Sequence, residues 1–147
     1  MGRLNAVTPK FSSHLQLAML PGQDGHDWVL ASDFSYRAKS GTTYQVLAGF
    51  HSDGASIPRV FWRLIGPPLA GRYAPAALIH DGLYASEIIP RDVADDLFLE
   101  MMETLGVKSW RRKLMYQAVR IGGGAVWKKH TPTSVTYANK FVEVEEA

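Results

Sequence analysis

The segment 76–84 most constrains how this chain can fold. It reads Ala-Ala-Leu-Ile-His-Asp-Gly-Leu-Tyr, an almost wholly apolar helical run that contains the ionisable pair His80 and Asp81. A helix that is apolar on nearly all sides belongs in a core, and a buried ionisable group is costly unless it finds a partner. Titratable pairs buried in this way belong either to satisfied structural networks or to sites of chemistry. Other parts of the chain must therefore supply partners for both groups.

Composition limits the chemistry available to such a pair. The 147 residues are enough for a hydrophobic core, and we expect one domain over residues 1–147. Because the chain has no cysteine, disulfides and thiolate nucleophiles are excluded, and any metal would need His, Asp or Glu ligands. No apolar run reaches transmembrane length, and the first residues lack a signal-peptide pattern. We therefore expect no membrane contact and a protein that is kept in a cytoplasm or packaged from it.

The order of patterns along the chain predicts an α+β fold. Alternating and β-branched segments predict an N-terminal antiparallel sheet of roughly three to five strands, with a turn at 21–25 and candidate strands at 14–20, 28–31, 34–37 and 43–48. Helical spacing after Pro58 predicts about four C-terminal helices, over 59–65, 73–85, 91–105 and 109–121. We expect Gly122–Gly124 to end the last helix and residues 135–137 to form a further strand. Because the strands precede the helices, the sheet should pack against the helices without βαβ alternation.

Helical spacing places the polar side chains of the second predicted helix on one strip. His80, Asp81 and Tyr84 lie along one face by the three-and-four rule, whereas the rest of this helix is apolar. The next helix contributes Asp95 at the margin of its own apolar face. Because residues 86–90 form a short connection, the two helices should be antiparallel neighbours. Asp95 can then approach the polar strip.

A second polar stretch precedes the helices and reads His51-Ser-Asp-Gly-Ala-Ser-Ile-Pro58. Asp53 and Gly54 predict a turn, and Ser56 can cap the helix that follows. Asp53 would then lie at the junction of sheet and helices, where a side chain is held rigidly and remains accessible. Ser56 is better explained as a cap than as a nucleophile, because the chain lacks a Gly-x-Ser-x-Gly elbow.

Three interpretations of Asp53, His80, Asp81 and Asp95 stay open. In the first, Asp53, His80 and Asp95 bind a divalent metal such as zinc or manganese, which activates water for hydrolysis. In the second, a carboxylate orients His80 as a general base without a metal. In the third, these groups form a buried hydrogen-bond network that ties the loop to the helices.

Charge is distributed unevenly, although the net charge is only +2. Six acidic residues and one base lie between Glu87 and Glu103, whereas residues 104–142 contain eight lysines or arginines and no acid. This basic segment could contact phosphates or an acidic partner, but a solvated helix face is the simpler interpretation. The cluster 111–113 beside Trp110 has no nucleic-acid-binding motif around it, which makes a nucleic-acid partner the least favoured alternative.

Four ordered motifs resemble one known family. They are Asp53-Gly-Ala-Ser-Ile-Pro58, Ala77-Leu-Ile-His-Asp-Gly-Leu-Tyr84, Arg91-Asp-Val-Ala-Asp95 with Phe98, and Met115-Tyr-Gln-Ala-Val-Arg120 with Gly124 and Trp127. Together they extend over residues 50–127 and are similar to a family of phage and prophage proteins catalogued as a domain of unknown function. The resemblance implies a phage or prophage origin and no particular activity. The residues that it singles out are Asp53, Ser56, His80, Asp81, Tyr84, Arg91, Asp95 and Arg120.

Three functions follow as expectations, and the least favoured is a binder of nucleic acid or of a host factor through the basic segment 104–142. The first is a small phage-encoded hydrolase, metal-dependent or metal-free, whose site consists of Asp53, His80, Asp81 and Asp95 with support from Ser56, Tyr84, Arg91 and Arg120. The second is a virion or assembly component, such as a tail, baseplate or capsid accessory protein, in which the His/Asp cluster only stabilises the fold. Its partners would be other phage structural proteins or further copies of the same chain.

Overall fold

The computed structural model describes residues 7–19, 28–52, 54, 57–65 and 71–147. The strands in these ranges are β1 (Lys10–Phe11), β2 (Leu17–Met19), β3 (Trp28–Leu30), β4 (Phe34–Arg37), β5 (Thr43–Val46), β6 (His51–Ser52) and β7 (Val142–Glu145). The helices are a 3-10 turn (Arg59–Phe61), α1 (Trp62–Ile65), α2 (Ala74–Ser86), α3 (Arg91–Thr104), α4 (Ser109–Lys128) and α5 (Pro132–Asn139). This arrangement confirms the predicted α+β class. None of the helices described is long and apolar enough to cross a membrane.

The strands form two antiparallel sheets. The first has the order β1-β4-β5-β7 and the second has the order β2-β3-β6. The last strand of the first sheet comes from the C-terminal end of the chain, where Val142 pairs with Val46 and Val144 pairs with Tyr44. The predicted antiparallel pairing is confirmed, but the sheet is completed by a strand far away in sequence. The turn predicted at 21–25 lies outside the described residues.

Helix α2 is buried on every side, as its composition requires. Leu78, Ile79 and Leu83 have no exposed surface, and burying such a side chain stabilises a fold by about 1.5–3 kcal/mol. The helix contacts β5, β6 and β7 as well as α3 and α5. A Cβ on Gly82 would lie 2.9 Å from Val46 Cγ2 in β5, so the missing side chain allows the helix to approach the sheet closely. This packing presents His80 and Tyr84 of α2 to Asp95 of α3.

Helix α4 is longer than predicted and continues through its three glycines. The prediction that Gly122–Gly124 would end this helix is wrong, because the helix continues to Lys128. Each glycine costs about 1 kcal/mol relative to alanine inside a helix, so tertiary packing outweighs local preference here. A Cβ on the first glycine would overlap Pro58 Cγ, and one on the second would overlap Tyr84 Oη. The first two glycines are therefore points of close approach.

The region after α4 contains a helix where a strand was predicted. Residues 135–137 lie inside α5, whose start is a capping box in which Thr131 Oγ1 accepts from the Ser134 N–H and Ser134 Oγ accepts from the Thr131 N–H. Pro132 occupies the first helical position, where proline is favoured. These start signals outweigh the strand preference of the β-branched residues that follow. The strand of this region is β7, directly after the helix.

Candidate functional site: a buried carboxylate network

Asp95 is the centre of a network formed by three helices. Its Oδ1 accepts hydrogen bonds from His80 Nε2 at 2.8 Å and from Tyr84 Oη at 2.6 Å, both on α2. Its Oδ2 accepts one from Arg120 Nη1 of α4 at 2.9 Å and lies 3.5 Å from Arg91 Nη1, one turn earlier in α3. Five of the residues singled out by the sequence motifs therefore meet at one carboxylate.

The centre of this network is sealed from solvent, whereas its outer members reach the surface. The side chains of His80 and Asp95 have no exposed area, while Arg91 is 26% exposed and Arg120 is 33% exposed. The two guanidinium groups supply the positive charge that a buried carboxylate requires. The arrangement therefore extends from a buried His–Asp pair to two basic groups at the protein surface.

Burial and hydrogen bonding determine the protonation states in the network. Burial lowers the pKa of His80 and outweighs the opposing effect of Asp95, so the imidazole is neutral at neutral pH. Burial alone would raise the pKa of Asp95, but the hydrogen bonds from His80, Tyr84 and Arg120 lower it overall, and the carboxylate is ionised. Burial and the bond to Asp95 raise the pKa of Tyr84, whose hydroxyl stays protonated. The proton of neutral His80 therefore lies on Nε2, and this N–H donates a hydrogen bond to the carboxylate of Asp95.

Aromatic rings enclose the imidazole. The ring of His80 stacks on Phe98 with centroids 4.6 Å apart, and it lies 4.3 Å from the ring of Tyr84. Trp127 contacts Tyr84 edge-on at 5.3 Å. Offset and edge-on contacts of this kind are the favoured aromatic geometries, and they hold both hydrogen-bond donors in place.

Gly123 is a member of this site that the sequence analysis missed. A Cβ at this position would overlap Tyr84 Oη and would lie 3.1 Å from Arg91 Nη1. The family motif instead includes Gly124, where a Cβ would meet no atom within 4 Å. The sequence does contain a signal for this position, because Trp127 follows the glycine run at helical spacing. Such a run indicates either the end of a helix or a close approach between a helix and a neighbouring segment.

Asp81 contacts a residue of the sheet. Its Oδ2 accepts a hydrogen bond from Ser52 Oγ, which connects α2 to β6. In the sequence, Ser52 directly precedes the segment that contains the predicted site residues Asp53 and Ser56. Asp53 and Ser56 themselves lie outside the described residues.

Two of the three predicted metal ligands contact each other directly in this structure. His80 Nε2 and Asp95 Oδ1 are in direct hydrogen-bonding contact, so a cation shared by them would have to separate them. Among the described side chains, no group of three or more His, Asp or Glu residues is placed to hold a metal ion. The proposed third ligand, Asp53, falls outside that set, and the metal site stays a prediction.

The fold and the network define an α+β domain in which motif residues of three helices converge on one buried carboxylate. A family model described as "Protein of unknown function (DUF1353)" matches residues 28–119, and the chain belongs to this family. The matched range includes His80, Tyr84, Arg91 and Asp95, while Arg120 and the glycine run lie just beyond it.

Two relatives are similar to this chain over much of its length. The uncharacterized protein y4jT of Sinorhizobium fredii is 42% identical over 96 residues, which cover 64% of this chain and 28% of that protein. The uncharacterized protein y4iH of the same organism is 29% identical over 109 residues, which cover 74% of this chain and 45% of that protein. The chain therefore spans less than half the length of these relatives. No solved structure shows a significant match.

Proposed function

We propose that this chain is a phage- or prophage-derived assembly module in which the Asp95 network is structural. The observation that carries the proposal is the saturation of Asp95, a carboxylate without exposed surface whose two oxygens contact four side chains from three helices. A carboxylate surrounded in this way is a strong link between helices, because each helix loses a charged hydrogen bond if another moves.

The protonation states support a structural role. General acid–base catalysis is most efficient when the pKa of the catalytic group lies near the working pH. Here the pKa of His80 is lowered from 6.5, that of Asp95 is lowered from 3.8 and that of Tyr84 is raised from 10.0. All three shifts move the groups away from neutrality, which favours fixed hydrogen bonds over proton transfer.

Exposed apolar side chains support an assembly role. Val60 is 74% exposed and Ile121 is 76% exposed. Pro58 packs against Gly122, which brings the segment with Val60 beside the segment with Ile121. Contiguous exposed apolar patches are typical of interaction surfaces, and we propose that Val60 and Ile121 belong to one such patch. We propose that a second copy of the chain or another phage structural protein binds this surface.

Association measurements test this proposal. The oligomeric state of the purified chain is measured by size-exclusion chromatography with light scattering, and binding to phage particles from the source strain is measured by co-sedimentation. We expect Ile121→Ser to abolish association, whereas Val93→Ser, at an exposed position of α3, leaves it intact. A monomer that neither sediments with particles nor differs between these variants would refute the assembly role.

A hydrolase is the second candidate, and the hydrogen bond between His80 and Asp95 is the observation that favours it. A carboxylate bonded to an imidazole N–H is the arrangement that orients a catalytic histidine. The decisive measurement is the metal content of the purified native protein and of His80→Gln. Stoichiometric zinc or manganese in the native protein, lost in a variant that is still folded, would replace the assembly proposal with a metal-dependent hydrolase.

A further inference from the structure

A small basic pocket lies where α3 connects to α4, and it shares no residue with the Asp95 network. Its volume is about 280 Å³, and its lining consists of Arg72, Tyr73, Gly106, Val107, Lys108 and Arg111. Three of these six residues carry a positive charge, and none carries a negative charge. The pocket is therefore a concentrated patch of positive potential within a concave surface.

No carboxylate of the described residues forms an ion pair with the basic groups of this pocket. In the described parts of the chain, the ion pairs involve other residues, and none includes Arg72, Lys108 or Arg111. By contrast, Arg112 reaches Glu103 at 3.9 Å. The Nε atom of Arg111 is buried and has no hydrogen-bond partner within the same described set. A buried charged donor without an acceptor is unfavourable, so an anion that supplied an acceptor here would be stabilised.

Hydrogen bonds stabilise the turn beside the pocket. Gly106 has a positive φ of 72°, and its N–H donates to Glu103 O at 3.0 Å, while the Val107 N–H donates to Met102 O at 3.0 Å. Arg112 Nη1 donates to Val107 O at 3.0 Å and holds the turn from the other side. These bonds fix the geometry of the turn before a ligand arrives, which reduces the entropy lost on binding.

The start of α4 adds to the positive potential. This helix has 20 residues, and no side chain caps its first N–H groups. Free N–H groups and the positive end of the helix dipole favour an anion. The guanidinium of Arg111 lies 5.3 Å from the ring centre of Trp110, a contact that orients it at this end of the helix.

We propose that this pocket binds the phosphate group of a small phosphorylated molecule. Arginine pairs with phosphate through two parallel N–H bonds, and Lys108 and Arg72 supply further charge to match a dianion. A carboxylate carries a single charge and would leave most of the positive charge of the pocket unbalanced. The pocket is also slightly smaller than the range of about 300–1,000 Å³ typical of ligand sites, which favours a small ligand.

Titration calorimetry of the full chain with pyrophosphate, at constant ionic strength, tests the proposal. We expect saturable binding to one site, with half-saturation at about 1 mM or below. Arg111→Gln should weaken the affinity at least about tenfold, because a charge-assisted hydrogen bond is lost. Arg72→Gln, at an exposed position, should also weaken it and serves if Arg111→Gln fails to fold. Lys113→Gln removes the same charge from α4 outside the pocket lining and should change the affinity less than about twofold.

Two results would overturn the proposal. One is the absence of saturable pyrophosphate binding in a wild-type chain shown to be folded by circular dichroism. The other is equal weakening by Arg111→Gln and Lys113→Gln, which would indicate a diffuse charge effect. A short single-stranded oligonucleotide distinguishes the source of the phosphate. If the oligonucleotide binds more tightly than pyrophosphate, and Arg111→Gln and Lys113→Gln weaken its binding equally, then the basic surface binds a nucleic-acid backbone. That result would overturn the small-ligand site.

Discussion

Replacing Asp95 with asparagine tests whether the buried network stabilises the contacts between the helices. The substitution keeps the size of the side chain but replaces one carboxylate oxygen with an amide nitrogen. The remaining oxygen can still accept from His80 and Tyr84. The new NH2 group then faces Arg120 Nη1, which lies 2.9 Å from Oδ2 in the native chain, so that two donors oppose each other.

The size of the effect follows from the burial of the groups. Removing one partner of a buried ion pair typically costs about 3–5 kcal/mol. Because Arg91 and Arg120 are partly exposed and can turn towards water, the lower end of this range applies. We therefore expect Asp95→Asn to lower the free energy of unfolding by about 3 kcal/mol, a large fraction of the total of about 5–15 kcal/mol for a native protein.

Urea denaturation followed by circular dichroism measures this difference. The matched control is Asp96→Asn at the next position, where the carboxylate accepts one hydrogen bond from Tyr116 on the exposed surface, at 2.7 Å. We expect the control to change the free energy of unfolding by less than about 0.5 kcal/mol. The slope of stability against urea should be the same in all three proteins, because the surface exposed on unfolding is unchanged.

The result that would refute the structural role is a loss in Asp95→Asn no greater than in Asp96→Asn. A gain in stability would be more informative still. Groups selected for chemistry are commonly destabilising, so a gain would favour the hydrolase hypothesis over the assembly module.

Three further predictions concern the same network. The pKa of His80 in the folded chain lies below its unfolded value of 6.5, so below pH 6.5 the unfolded chain binds one proton more than the folded chain. The free energy of unfolding should therefore fall as the pH drops below 6.5, by at most about 1.4 kcal/mol per pH unit. Urea titrations at several pH values should show this slope in the wild type and not in His80→Gln, and equal slopes would contradict the buried neutral imidazole. Gly123→Ala should destabilise the chain by about 1–3 kcal/mol, because the new Cβ would overlap Tyr84 Oη. Gly124→Ala, whose Cβ meets no atom within 4 Å, should stabilise it by up to about 1 kcal/mol. Equal melting temperatures of the two variants would be inconsistent with the close approach of Tyr84 to Gly123. Tyr84→Phe should lower the free energy of unfolding by about 1.5–3 kcal/mol. If its effect and that of Asp95→Asn simply add in a double-mutant cycle, the two side chains are energetically independent.

Local periodicity was sufficient to predict the centre of the site. The apolar run around His80 predicted a buried helix, and helical spacing in the next segment placed Asp95 where it could reach that helix. Both inferences depend on neighbours in sequence, for which helix geometry is regular. Among the described residues, His80 bonds Asp95 and Asp81 bonds Ser52, because consecutive residues on a helix point about 100° apart. The same geometry directs Asp81 to Ser52 and not to Asp95.

The remaining features depend on contacts between distant segments. The glycines of α4 read locally as a helix end, and only the approach of Pro58 and Tyr84 explains why the helix continues through them. The pairing of β7 with β5 joins residues nearly a hundred positions apart, and no periodicity within either strand specifies its partner. The start of α5 depends on local contacts instead, because its capping box joins Thr131 and Ser134, and the strand prediction for 135–137 overlooked this signal.

The pairing of the C-terminal strand has a consequence for where the chain can be cut. The range matched by the family model, 28–119, contains β4 and β5 but neither β1 nor β7, which flank them. A fragment limited to that range would retain a two-stranded remnant of the four-stranded sheet, and such hairpins are marginally stable in water. It would also lose Val142, which packs near Gly82 of α2, and leave the edge of β5 open to pairing with other chains. In this protein the range matched by the family model is therefore shorter than the chain segment that builds the four-stranded sheet.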